Sequence, residues 1–140
     1  MKQEQKELLI KDLCARLPYG VKCLVNYIIC NETTDYNDIP SSKVDTIVAI
    51  NQQTESYFFE WLSEWFDFDE FKPYLFPLSS MTEEQEVEYD ATFATIVYED
   101  GRKDSVMTYK SFDWLNKNHF DYRDLIPMGL ANDATGLNIY

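Results

Sequence analysis

The residues best suited to chemistry in this chain are carboxylates, and they crowd into one stretch. From Tyr57 to Phe76 the sequence YFFEWLSEWFDFDEFKPYLF holds ten of the protein's 22 aromatic side chains, threaded by Glu60, Glu64, Asp67, Asp69 and Glu70. Alternating oxygens at Asp67, Asp69 and Glu70 superficially suit a cation. A calcium loop, however, needs the full D-x-[DN]-x-[DN]-G spacing and a later Glu, and both are missing. Magnesium held by two carboxylates, or an acid–base pair, stays open as an enzyme reading. The other readings are an aromatic core with solvated acids between its members, and a contact surface where part of the stretch stays exposed.

The remaining reactive side chains form no recognisable constellation. His119 is the only histidine, with Asp121 two residues on, and no nucleophile-elbow glycine pattern accompanies them. A histidine placed at a helix end more commonly meets the helix dipole or caps a carbonyl. Cys14, Cys23 and Cys30 are odd in number and lack a C-x-x-C pair, which fits reduced structural thiols better than disulfides or zinc. Gly20, Gly101, Gly129 and Gly136 are isolated, so neither a P-loop nor a dinucleotide fingerprint is present. No catalytic residue, metal ligand or cofactor is expected.

Charge narrows the partners. The net charge is −13, and Glu60–Asp100 holds twelve acids against the single base Lys72, leaving thirteen acids and eleven bases elsewhere. Direct nucleic-acid binding needs a basic surface and is not expected. The acidic block is either a solvated face that favours solubility or a docking surface for a partner protein with a basic surface. Aromatics interleaved with acids invert the pattern of single-strand binders, which adds a nucleic-acid-mimic inhibitor as an alternative.

Around these residues, 140 positions with 45% hydrophobic and 26% charged content suit a single globular domain, residues 1–140. The sequence lacks the roughly 18 consecutive apolar residues of a membrane span, and MKQEQKELLIKDL is charged and periodic, unlike a signal peptide; a cytoplasmic location is expected.

Periodicity and breakers place the elements. Residues 3–17 form an amphipathic helix with Leu9, Ile10, Leu13, Cys14 and Leu17 inward and Lys6, Lys11, Asp12 and Arg16 mostly outward, stopped by Pro18 and Gly20. Residues 20–30 and 44–51 read as strands with a loop over 31–43, and a third strand spans 56–62. Residues 63–71 allow either a strand extension or a helical turn. Thr82-Glu-Glu-Gln85 is a capping box that opens a short helix. Phe93–Glu99 and Arg102–Tyr109 form a hairpin turned at Asp100-Gly101 by a two-residue turn that sets Glu99 opposite Arg102. Ser111 caps a further short helix with Phe112 and Leu115 inward, Asp121 caps a turn, and 132–140 is irregular. The expected fold is α+β: an N-terminal helix on a roughly five-stranded antiparallel sheet, with short helices near residue 82 and in the C-terminal third. Its core draws on Leu9, Leu13, Leu17, Val25, Tyr27, Ile47, Phe59, Trp61, Ile96, Trp114 and Leu115.

Three segments, KELLIKDLCARLPYG (6–20), FKPYLFPLSSMTEE (71–84) and FDWLNKNHFDYRDLIPMGLA (112–131), resemble a group of small uncharacterised proteins of gut Bacteroides-type bacteria and their phages or mobile elements. They span about a third of the chain and contain no catalytic motif, so the resemblance implies a setting and transfers no functional residue. That setting favours an inhibitory or host-takeover protein. The leading expectation is a non-catalytic interaction module that contacts another protein through Glu60, Glu64, Trp65, Phe66, Asp67, Phe68, Asp69 and Glu70.

Overall fold

The computed structural model describes residues 1–29 and 39–140. Helix α1 (Gln3–Arg16) ends in a 3₁₀ turn at Leu17–Tyr19, where Pro18 cannot continue an α-helix. Strands β1 (Lys22–Ile29), β2 (Ile39–Asn51), β3 (Ser56–Phe59), β4 (Trp65–Asp67) and β5 (Phe71–Pro77) follow, then α2 (Glu83–Asp90), the hairpin β6 (Ala94–Val97) and β7 (Lys103–Val106), α3 (Tyr109–Lys117), and the short strands β8 (Phe120–Asp121) and β9 (Asn132–Asp133).

The architecture is α+β, with three helices and a seven-stranded sheet of order β4-β3-β2-β1-β5-β8, β9 also pairing with β5. The sheet is mixed, not wholly antiparallel: β8 and β9 run parallel to β5. Parallel neighbours need a long crossover, and the segment 78–119, containing α2, the hairpin and α3, provides it between β5 and β8. Residues 132–133, read as irregular, add the second parallel neighbour.

The sheet curls. In a flat sheet β3 and β5, three positions apart, would sit about 14 Å from each other. Yet Phe71 of β5 lies edge-on to Phe59 and Tyr57 of β3, with ring centroids 5.3 and 4.7 Å apart. Phe66 of β4 closes the same cluster against Phe59 at 5.6 Å. These rings, with Leu9, Leu13, Val25, Ile47 and Leu75, make the core. The first half of the aromatic stretch is therefore interior, as its alternation demands.

Several sequence expectations fail for identifiable reasons. β2 begins at Ile39, so 39–43 is strand and not loop, pairing with β1 through Ile29↔Ile39; the rest of that loop, and Cys30, lie outside the described residues. β3 stops at Phe59, and Trp61 is 64% exposed. Ile96 is 42% exposed because, among the described residues, no other element packs broadly on the hairpin. Trp114 is half-buried, and Phe112 turns outward while Leu115 turns in. The box at Thr82–Gln85 forms on both sides, whereas α3 is capped by Thr108, with Ser111 buried one turn inside.

The hairpin turn has three residues, not two. Tyr98 N–H donates to the Arg102 carbonyl, Gly101 N–H to that of Tyr98, and Gly101 takes a φ of 84°. This is a type I turn followed by a left-handed bulge residue, a geometry that favours glycine. Arg102 consequently stacks over Tyr98 instead of facing Glu99.

Asp12 and Arg16 are fully buried, against the expectation of an outward face. Arg16 donates to both Asp12 oxygens and to the Phe120 carbonyl at 2.7 Å, tying α1 to the C-terminal third. Arg123 completes the set, 3.3 Å from Asp12 Oδ1.

Candidate protein-interaction site

The second half of the aromatic stretch is displayed by two tight turns. Between β3 and β4, buried Asp45 accepts backbone N–H bonds from Thr46, Trp61 and Leu62 at 2.8–3.1 Å. Ser63 takes a left-handed φ of 53°, and its N–H donates to the Phe59 carbonyl. This fixed turn throws Trp61 outward, beneath the Lys43 ammonium. Across β4 the alternation then places Phe66 inside and Trp65 and Asp67 outside. Between β4 and β5, Asp67 N–H donates to the Glu70 carboxylate at 2.7 Å while Glu70 N–H returns to the Asp67 carbonyl.

Facing these turns is the far half of the β1–β2 ribbon. Along β1, β5 pairs with Cys23–Val25 and the Asn26 N–H donates to the Glu70 carbonyl, while along β2, β3 pairs from Ile47 onward. Among the described residues Tyr27–Ile29 and Ile39–Ser41 therefore project beyond the body of the sheet. A cleft of about 750 Å³ lies between ribbon and turns. Tyr27, Ile28 and Ile29 line the ribbon side, and Leu62, Trp65 and Phe66 the other, with Glu64, Asp69 and Glu70 among them. Ile28 and Trp65 are 61% and 51% exposed.

Of the eight residues singled out from the sequence, the structure brings Glu64, Trp65, Phe66, Asp69 and Glu70 together in the cleft. Phe66 contributes from the core side and is itself buried. Glu60 and Asp67 are exposed away from the cleft lining, and half-buried Phe68 packs on the core under the Lys6 ammonium. Sequence reasoning missed the ribbon residues Tyr27, Ile28 and Ile29 as site residues. Their signal was present: three apolar residues at a strand end that both strand faces could not bury.

Electrostatics at the cleft are one-sided. Among the described residues the salt bridges are those of Asp12 with Arg16 and Arg123, so the cleft carboxylates have no cation within pairing distance. The nearby lysines Lys6 and Lys43 lie over aromatic rings instead. No group of three or more His, Cys, Asp or Glu side chains converges as metal ligands among the described residues.

The acids do not form one continuous face. Glu64, Asp69 and Glu70 precede β5, while Glu83, Glu84, Glu86, Glu88 and Asp90 follow it on α2. β5 is seven residues long, so it separates the two groups by about 20 Å.

The histidine and thiols lie elsewhere. His119 stacks on the Tyr140 ring at 3.7 Å, in a left-handed conformation just after α3. Burial, with Arg16 and Lys22 nearby, lowers its pKa from 6.5 to about 4, so the ring is neutral at pH 7. It does not meet the helix dipole as a cation, and among the described residues it caps no carbonyl and its buried Nδ1 has no partner. Burial, reinforced by Asp45, pushes the Cys23 thiol well up, which disfavours the nucleophilic thiolate. No family model, curated protein or solved structure matches the chain.

Proposed function

We propose that this protein is a non-catalytic, cytoplasmic interaction module that holds a partner protein in the acidic–aromatic cleft beside β4. The observation that carries this reading is the set Glu64, Asp69 and Glu70, without cationic partners among the described residues, around a cleft lined by Tyr27, Ile29, Leu62 and Trp65. Apolar surface ringed by charge is the pattern of a contact site. A segment carrying lysine or arginine beside an apolar side chain would neutralise the rim and cover the walls together.

No helix among the described residues is long and apolar enough to cross a membrane. A phage or mobile-element setting would suit an inhibitor acting through such contacts. Inhibition by nucleic-acid mimicry is less favoured, because the acids fall into two separated groups. The enzyme reading lacks support from the single histidine, which is buried and stacked on Tyr140 away from these carboxylates.

The test is selection of binders from a displayed random-peptide library, followed by calorimetry with the purified peptides. Enrichment for basic–apolar sequences, with affinity that falls as salt rises and is lost in Glu64→Lys/Asp69→Lys, supports the reading. Selected peptides that ignore both salt and that substitution would refute it.

A further inference from the structure

We infer that β6 is a self-pairing edge through which two copies of this chain associate, joining their hairpins into one four-stranded antiparallel sheet. The inference is independent of the cleft. Every residue of β6 is exposed, and β7 is exposed except for half-buried Val106. Among the described residues the hairpin is clamped at its base, where Thr108 Oγ1 and Ser111 Oγ donate to the Thr92 carbonyl and Tyr89 packs on Phe93. A two-stranded ribbon without further cover is marginal in water, and added strands stabilise it.

The edge is unprotected. Natural edge strands are usually blunted by charge, proline or a bulge. Here Ala91–Tyr98 reads ATFATIVY, without a charge or a proline, and β6 pairs with β7 in unbroken register. Tyr98 N–H bonds inward to Arg102. By alternation Ile96 and Ala94 also direct their backbone groups to β7, leaving those of Thr95 and Val97 on the outer edge.

This parity fixes the contact. With Ile96 on a twofold axis, Thr95 of each copy meets Val97 of the other in reciprocal hydrogen-bonded pairs. The two Ile96 side chains then pack as the closer, non-hydrogen-bonded pair, and Ala94 faces Tyr98 on the same side.

Charge selects a second copy as the occupant. Residues 91–110 contain Glu99, Asp100 and Asp104 against Arg102, Lys103 and Lys110, so this segment is neutral while the other 120 residues carry the whole −13. Two copies repel over their acidic faces and least along this arm.

The experiment is sedimentation velocity of the full chain from low micromolar to near-millimolar concentration, at low and moderate salt. The wild type should dimerise, more tightly as salt screens the acidic faces. Val97→Pro, which removes an outward N–H, and Ile96→Lys, which keeps every backbone bond, should each raise the dissociation constant about tenfold or more. Ser105→Pro, on the outer edge of β7, should leave it unchanged. Circular dichroism checks folding, and if the proline variant unfolds, Ile96→Lys decides the matter alone. A wild type monomeric throughout, a dimer indifferent to Ile96→Lys, or one lost equally in a folded Ser105→Pro would overturn the inference.

Discussion

Asp12 and Arg16 stand one helical turn apart on α1 as a fully buried ion pair, with Arg16 Nε and Nη2 donating to the two carboxylate oxygens at 2.7 and 3.0 Å. Two further guanidinium N–H groups reach the Phe120 and Leu115 carbonyls, so this one side chain joins the first helix to α3 and β8. Removing Asp12 leaves a buried cation with carbonyls but without its counter-ion.

Asp12→Ala is therefore expected to lower unfolding free energy by about 3–5 kcal/mol, while the double change Asp12→Leu/Arg16→Met costs much less because no charge is stranded. Urea unfolding of both variants measures the difference. Equal losses would show that packing, not charge compensation, sets the cost.

His119 gives stability an acid limb. Its folded pKa of about 4 lies below the ordinary 6.5, so the unfolded chain binds the proton more tightly. This stabilisation is complete above pH 6.5 and declines as pH falls toward 4, by up to about 3 kcal/mol. His119→Asn suits the left-handed backbone and removes the titration. Urea midpoints at pH 7 and pH 5 should converge in this variant and differ in the wild type.

Asp45 organises the turn that presents Trp61 and Trp65. Asp45→Ala strips acceptors from the Trp61 and Leu62 N–H groups, with an expected cost of about 2–3 kcal/mol. Tryptophan emission should shift to the red even where the fold persists. Unchanged emission and stability would show that the turn holds without this carboxylate.

Sequence periodicity carried the regular parts of the fold: α1, the β1 core face, the Thr82 box and the inward aromatics of β3 all follow from spacing. The buried pair was hidden because Asp12 and Arg16 look polar, although Leu9, Asp12, Leu13 and Arg16 keep the i, i+3, i+4, i+7 spacing of one face. The parallel placement of β8 and β9 was illegible, since two-residue strands have no period. The site was half legible. The acidic aromatics of 60–70 drew attention through composition, but the ribbon end at Tyr27–Ile29 joins them only through tertiary placement. Residues 63–71 neither extend β3 nor form a helical turn: Asp45, distant in sequence, fixes a turn at Trp61–Leu62 that reverses the chain into the separate antiparallel strand β4.

The central claim concerns where a partner binds, and the protein's three tryptophans report on it. Trp65 lines the cleft and Trp61 flanks its turn, while Trp114 stacks on Phe120 at 5.6 Å, away from the cleft. Titrating a selected basic–apolar peptide into indole-¹⁵N-labelled protein should move the Trp65 signal saturably, Trp61 less, and Trp114 hardly at all. Glu64→Lys/Asp69→Lys should abolish the shift. Movement of Trp114 alone, or saturable binding that leaves Trp65 unmoved, would contradict the claim.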